Sequence, residues 1–224
     1  MRFRYSLRWL LAMVGLAAIV CAFWPTIRQA IVSHQLQTIG ATISLDDDTE
    51  PWYDRPPKSF VDHLDADVTQ IVWDANLQNG NTKLVDDVAF ARICEFSRVW
   101  NITLDNCAVT DKSIGEISRL PFLSVLRLRK SQIGDAGVKA IVQSEGIKNL
   151  ILANSLVTDA SAFHYKSLPK LYYLDLSGTM ITDASVSELA KNNGLTYLNV
   201  RGTGVTATGV SQLQESLPNC KIIH

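Results

Sequence analysis

Four aspartates, Asp111, Asp135, Asp159 and Asp183, recur at intervals of 24 residues. Carboxylates serve as general acids and bases and as ligands for divalent cations, so a group of four invites a catalytic or metal-binding reading. Their equal spacing points elsewhere, to one role repeated on successive units: each sits where it can cap a helix start and face the positive end of that helix. The histidines supply no competing site. His34, His63, His164 and His224 are scattered, and no His-x-x-His or metalloprotease spacing occurs. His63 lies among Asp62, Asp65 and Asp67, a grouping that reads as a hydrated acidic turn. Asp46-Asp47-Asp48 lacks the alternating ligands and central glycine of a calcium loop. With no Gly-rich phosphate loop and no Gly-x-Ser-x-Gly elbow either, the expectation is a protein that is not an enzyme and has no catalytic residues, no metal and no cofactor. Cys94, Cys107 and Cys220 read as buried thiols, although a bridge between Cys94 and Cys107 is not excluded by their positions.

The elements that must position these residues follow from the same period. Twelve residues before each register position lie Val99, Leu123, Ile147, Leu171 and Leu195; nine before lie Ile102, Leu126, Leu150, Leu174 and Leu198; seven before lie Leu104, Leu128, Leu152, Leu176 and Val200. Two before lie Val109, Ile133, Val157, Ile181 and Val205, and Ala207 takes the fifth register position itself. A separation of two places side chains on one face of a short strand. After the turn, Ile114, Val138, Ala162, Val186 and Val210 are followed three residues later by Ile117, Ile141, Tyr165, Leu189 and Leu213, which suits a helix face. Cys107, Ser131, Ser155, Thr179 and Thr203 are small groups that can bond to backbone as the chain leaves the strand. A strand and short helix of 24 residues cannot bury its own apolar face, but stacked copies form a continuous core, so the fold class is an α/β solenoid.

These columns, clearest in Leu171-Tyr172-Tyr173-Leu174-Asp175-Leu176-Ser177-Gly178-Thr179-Met180-Ile181-Thr182-Asp183, resemble the leucine-rich repeat family in its version with a Thr-Asp-Ala-Gly-like turn. The resemblance implies short parallel strands on a concave face and short helices on a convex one. It covers residues 68–224 as one domain: an irregular first unit at 68–98, regular 24-residue units from 99, and a truncated last unit at 219–224. In the first unit Val68 to Trp73 supplies a strand, Asp87, Val88, Phe90 and Ile93 match the turn and helix, and the excess from Ala75 to Lys83 reads as a loop. His224 reads as a loose terminal residue.

The remainder of the chain is of another kind. Trp9 to Trp24 is uncharged, Arg2, Arg4 and Arg8 precede it, and Arg28 ends the apolar stretch. Nineteen residues cover about 28 Å at roughly 1.5 Å each, close to a bilayer core. Residues 1–26 are therefore expected to be a basic cytoplasmic start and a transmembrane helix, with the indoles of Trp9 and Trp24 at the interfaces and everything after it across the membrane. A cleaved signal peptide would use the same basic start, but no small residue stands immediately before Cys21 and no Ala-x-Ala follows. Residues 27–67 read as a juxtamembrane helix, a short strand at Ala41 to Leu45 and an acidic, proline-containing linker. Together with Arg2-Phe3-Arg4-Tyr5-Ser6-Leu7-Arg8, the whole chain resembles small membrane-anchored leucine-rich repeat proteins of planctomycete bacteria.

Charge divides along the same line. The chain has 21 basic and 22 acidic groups; four arginines fall in residues 1–32 with no acid, leaving 17 basic against 22 acidic and a net of −5 for the rest. That balance argues against a nucleic-acid partner. The resemblance places Asn101, Thr103, Asp105; Val125, Arg127, Arg129; Asn149, Ile151, Ala153; Tyr173, Asp175, Ser177; and Tyr197, Asn199, Arg201 as outward rows on the concave face. Among these Arg127, Arg129, Tyr173, Asp175, Tyr197 and Arg201 are the types that anchor interfaces, and form the expected contact patch for a protein or peptide. The competing expectation is an assembly protein of the cell envelope acting through the edges of the array, without a concave ligand.

Overall fold

Alternation of buried and outward residues organises the domain from its first regular strand. In β3 (Asn101–Asp105) Ile102 and Leu104 are fully buried while Asn101 and Thr103 face out, and β4 (Val125–Arg129) repeats this with Leu126 and Leu128. The computed structural model describes residues 42–45, 68–74, 85–96 and 98–224. Within them β1 (Thr42–Leu45), β2 (Val68–Asp74), β3, β4, β5 (Asn149–Ile151), β6 (Tyr173–Asp175), β7 (Tyr197–Asn199) and β8 (Lys221–Ile223) form one sheet in sequence order. Strands β2 to β8 are parallel, and β1 closes the first edge antiparallel to β2, with Thr42 opposite Val72. The expected strand at Ala41 to Leu45 is therefore present, and its place is beside the first coil.

The apolar columns of the regular units fall in the core, with Val210 packed against it. Val99, Leu123, Ile147, Leu171 and Leu195 are at most 3% exposed, and Ile117, Ile141, Tyr165, Leu189 and Leu213 are fully buried. Each such side chain contributes roughly 1.5–3 kcal/mol on leaving water. The convex segments are short and mix α and 3₁₀ geometry: α-helix at Asp87–Ile93, Asp135–Ile141, Val186–Leu189 and Ala207–Ser216, 3₁₀ at Ile114–Arg119, Asp159–Ser167 and Asp183–Ser185. The small column after the strands bonds as its chemistry allows. Ser131, Ser155, Thr179 and Thr203 donate hydroxyls to the carbonyls of Leu128, Leu152, Leu176 and Val200 at 2.6–2.9 Å.

The aspartate column differs from expectation. Asp135, Asp159 and Asp183 open the first turn, as the helix dipole favours, but none makes the capping bond: before Asp159 and Asp183 it belongs to the preceding threonine, and Gly134 before Asp135 has no side chain to cap with. Thr158, Thr182 and Thr206 accept from the N–H groups of Ala160, Ala184 and Gly209. The carboxylates reach across to the next coil. Asp135 takes the N–H and Oγ1–H of Thr158 at 2.9 and 2.6 Å, Asp159 those of Thr182 at 2.6 and 2.6 Å, and Asp183 those of Thr206 at 2.8 and 2.7 Å. Asp87 does the same to Thr110 and adds Ser113 Oγ, while Asp111 has only the Gly134 N–H at 2.8 Å. The reason is geometric. A carboxylate one residue inside the helix points along the stacking direction, where the next coil presents an unpaired N–H about one strand spacing away.

Close approach by these carboxylates restricts the position three residues beyond each threonine register to Ser113, Gly137, Ser161, Ser185 and Gly209; a Cβ on Gly137 would run into Asp111, and one on Gly209 into Asp183. A second ladder lies where the chain leaves the strands. Asn106, Lys130, Asn154, Gly178 and Gly202 all have φ between +51° and +66°. The first four donate N–H groups to the carbonyls of Arg129, Ala153, Ser177 and Arg201 at 2.8–2.9 Å.

At the far end Ile222 takes the core side of β8, and His224 Nε2 lies 2.9 Å from the Val205 carbonyl, so the terminal residue is tied down rather than loose. The expected transmembrane helix at 9–26, the juxtamembrane helix, the acidic linker with His63 and the loop from Ala75 to Lys83 lie outside the described residues. No helix among the described residues is long and apolar enough to cross a membrane.

Candidate functional site

The concave face is built by strand register. One row runs Asn101, Val125, Asn149, Tyr173, Tyr197, Lys221, and the next runs Thr103, Arg127, Ile151, Asp175, Asn199, Ile223. Asp74, Asp105 and Arg129 begin a third, which continues at the same period through Ala153, Ser177 and Arg201 just past the shorter strands. Ala153, expected to face out, is 1% exposed and offers no surface.

Two of the expected contact residues meet face to face. Tyr173 and Tyr197 stack with ring centroids 4.3 Å apart and an interplanar angle of 3°. Parallel register on adjacent strands produces this contact, since equivalent side chains leave the sheet in the same direction about one strand spacing apart. Burial pushes the Tyr173 phenol up to about 12, with Tyr197 and Asp175 acting in the same direction and Arg127 opposing them. The two rings form a half-buried aromatic plate with phenol tips able to hydrogen-bond.

Arg127 and Arg129 are brought together by a residue outside the expected patch. Asp105 accepts the Arg127 fork, Nε to Oδ1 at 2.9 Å and Nη2 to Oδ2 at 2.6 Å, and Arg129 Nη1 stands 3.5 Å from the same Oδ2. Its position in the outward row, directly opposite Arg129 and diagonal to Arg127, is the signal that could have identified it. Asp175 has a more structural part than expected. Its Oδ1 accepts the Ser177 N–H at 2.9 Å, and Asn199 Oδ1 does the same for the Arg201 N–H at 3.1 Å one coil later. Arg201 itself is exposed and lies in the third row, away from the tyrosine plate.

The remaining reactive groups are dispersed. Cys94, Cys107 and Cys220 are free and buried, and burial pushes the Cys94 thiol up to about 12 and the Cys107 thiol up to about 11. His164 packs against Phe163 on the convex side, where burial and Lys139 hold its pKa below the ordinary value. Among the described residues no three His, Cys, Asp or Glu side chains are grouped as a metal site.

With this geometry in view, residues 119–142 match the family described as Leucine Rich repeat. The chain is similar in structure to an internalin, inlF, from Listeria monocytogenes, with a TM-score of 0.51 and 19% identity over 59% of this chain and 36% of that one. It is also similar to a leucine-rich repeat protein from Leptospira interrogans, with a TM-score of 0.48 and 20% identity over 60% of this chain and 33% of that one. It thus spans only about a third of the length of either protein, and at these identities the likeness is one of fold. No curated protein matches the sequence. The matched repeat lies within the parallel, coil-by-coil sheet, and the described residues share with the internalin a solenoid fold.

Proposed function

We propose that the chain is a non-enzymatic, membrane-anchored module whose concave face recognises a protein or peptide. The fold is one that generally serves protein–protein binding, and the observation that carries the reading here is the stacked Tyr173–Tyr197 plate standing half-exposed on that face. Flat aromatics held by a neighbour lose little freedom on binding, and their phenol tips supply direction. Residues 9–26 are the proposed anchor, with the start of the chain cytoplasmic and the repeats periplasmic or extracellular, as in the membrane-anchored repeat proteins the sequence resembles.

The test uses the full chain in non-ionic detergent as bait for native envelope proteins, beside the Tyr173→Ala, Tyr197→Ala double variant. Saturable capture lost in a double variant that still folds supports the concave face. Equal capture by both sinks that assignment in favour of assembly through the array edges. Separately, protease attack on the repeats from the cytoplasmic side would overturn the proposed topology.

A further inference from the structure

The concave face carries a positive excess within a domain that is close to neutral. Residues 68–224 hold 15 basic and 14 acidic groups, and from β3 onward the concave face presents Arg127, Arg129, Arg201 and Lys221 against Asp105 and Asp175. Both of those acids are engaged, Asp105 by the Arg127 fork and Asp175 by the Ser177 N–H. A face with this excess favours an acidic partner.

The third row gives that attraction a shape. Asp105 orients two guanidiniums but has charge for one: Arg127 holds Oδ2 at 2.6 Å, and Arg129 is left at 3.5 Å with its side chain 40% exposed. Arg201 stands in the same row three coils on and makes no ion pair among the described residues. Between the two arginines the row holds only buried Ala153 and half-buried Ser177, so no bulky side chain rises between them. Three strand spacings of about 4.8 Å separate the guanidinium-bearing coils by about 14 Å, and an extended chain covers that in roughly four residues.

We propose that this row seats an extended acidic peptide segment crossing β4 to β7, with two carboxylates four residues apart, one on Arg129 and the other on Arg201. The inference rests on the concave face being a recognition surface and adds the charge and spacing of what it recognises. A nucleic acid fits poorly, since two arginines on a near-neutral domain neutralise too few of its closely spaced phosphates.

Fluorescence polarisation with the full chain in non-ionic detergent tests this. The probes are labelled Gly/Ser peptides carrying two glutamates, either four residues apart or adjacent. The spaced probe should bind roughly tenfold more tightly, because only it can engage both guanidiniums. Arg129→Gln or Arg201→Gln should each abolish that preference, and Lys221→Gln should leave it. Equal affinity for both probes, no binding of either, a preference that survives the arginine variants, or displacement by an oligonucleotide as readily as by unlabelled peptide would overturn the proposal. Unchanged far-ultraviolet spectra and urea midpoints in the arginine variants exclude loss of fold. An envelope partner lost from the tyrosine double variant but retained by both arginine variants would remove this segment and leave the recognition surface standing.

Discussion

The convex-side ladder and the concave face use the same 24-residue period to opposite ends. Along the ladder, Asp87, Asp111, Asp135, Asp159 and Asp183 each accept a backbone N–H from the following coil. Along the concave rows the residues change from coil to coil, so that Arg127 is followed by Ile151, Asp175 and Asn199. Chemistry that repeats at every coil answers a need that every coil has, here the unpaired N–H at a helix start. Chemistry that changes answers no such need and is free to take the shape of a partner.

The sharpest way to test that contrast is to remove equal amounts of side chain from the two sides of one strand. Leu150→Ala or Leu174→Ala should lose about 2–5 kcal/mol in urea unfolding of the full chain, since each empties a fully buried site. Ile151→Ala, on the outward face of the same strand, should lose roughly 1 kcal/mol or less; similar losses would mean that the concave face is part of the core. Next in size is the ladder. Asp135→Ala strands the Thr158 N–H and should cost about 1–3 kcal/mol, whereas Asp175→Ala, which removes a single local bond, should cost under about 1.5 kcal/mol. A ladder variant no worse than the concave one would erase the distinction.

Gly178→Ala should cost about 1 kcal/mol for its φ of +66°, and more because its Cβ would meet Asn154. Gly202→Ala shares the φ but has room, so the difference between the two measures the contact alone. Acid titration gives a smaller effect. Burial alone would raise the Asp87 carboxyl, but the bonds from Ser113 and Thr110 outweigh it and hold its pKa below the ordinary 3.8. A depressed carboxyl contributes stability that is present above its unfolded pKa and is lost as pH falls through the folded one. Stability should therefore decline below about pH 4, and Asp87→Asn should flatten that decline; an identical acid limb would show that this rung adds nothing. The smallest effect belongs to Arg201→Gln, within about 0.5 kcal/mol in unfolding, with its consequence confined to binding.

Much of the fold is legible because it rests on period alone. The apolar columns give the buried side of each regular coil, and the truncated last unit expected at 219–224 supplies β8. Three things escaped. The Asp-to-Thr bonds run between coils 23 residues apart, and spacing within one helix start cannot distinguish a carboxylate that caps its own helix from one that serves the next. The left-handed row hides its glycines among Asn106, Lys130 and Asn154, so composition did not flag it. On the concave face the tyrosine pair followed from register, but Asp105 was missed because its importance lies in contacts across strands, to Arg127 and Arg129, rather than in its own type.

The Asp–Thr bonds make each coil answer only to its neighbour, and that fixes what kind of change the architecture tolerates. Excision of residues 148–171 would bring Asp135 opposite Thr182 and Val125 opposite Tyr173, restoring the strand register and the ladder, with an Asp–Thr pair again at the new junction. Coil number is then a dial that can be turned in whole steps. Each step resets the distance between Arg129 and Arg201 by one strand spacing, so the array works as a ruler whose graduations can be added or removed without reforging the metal.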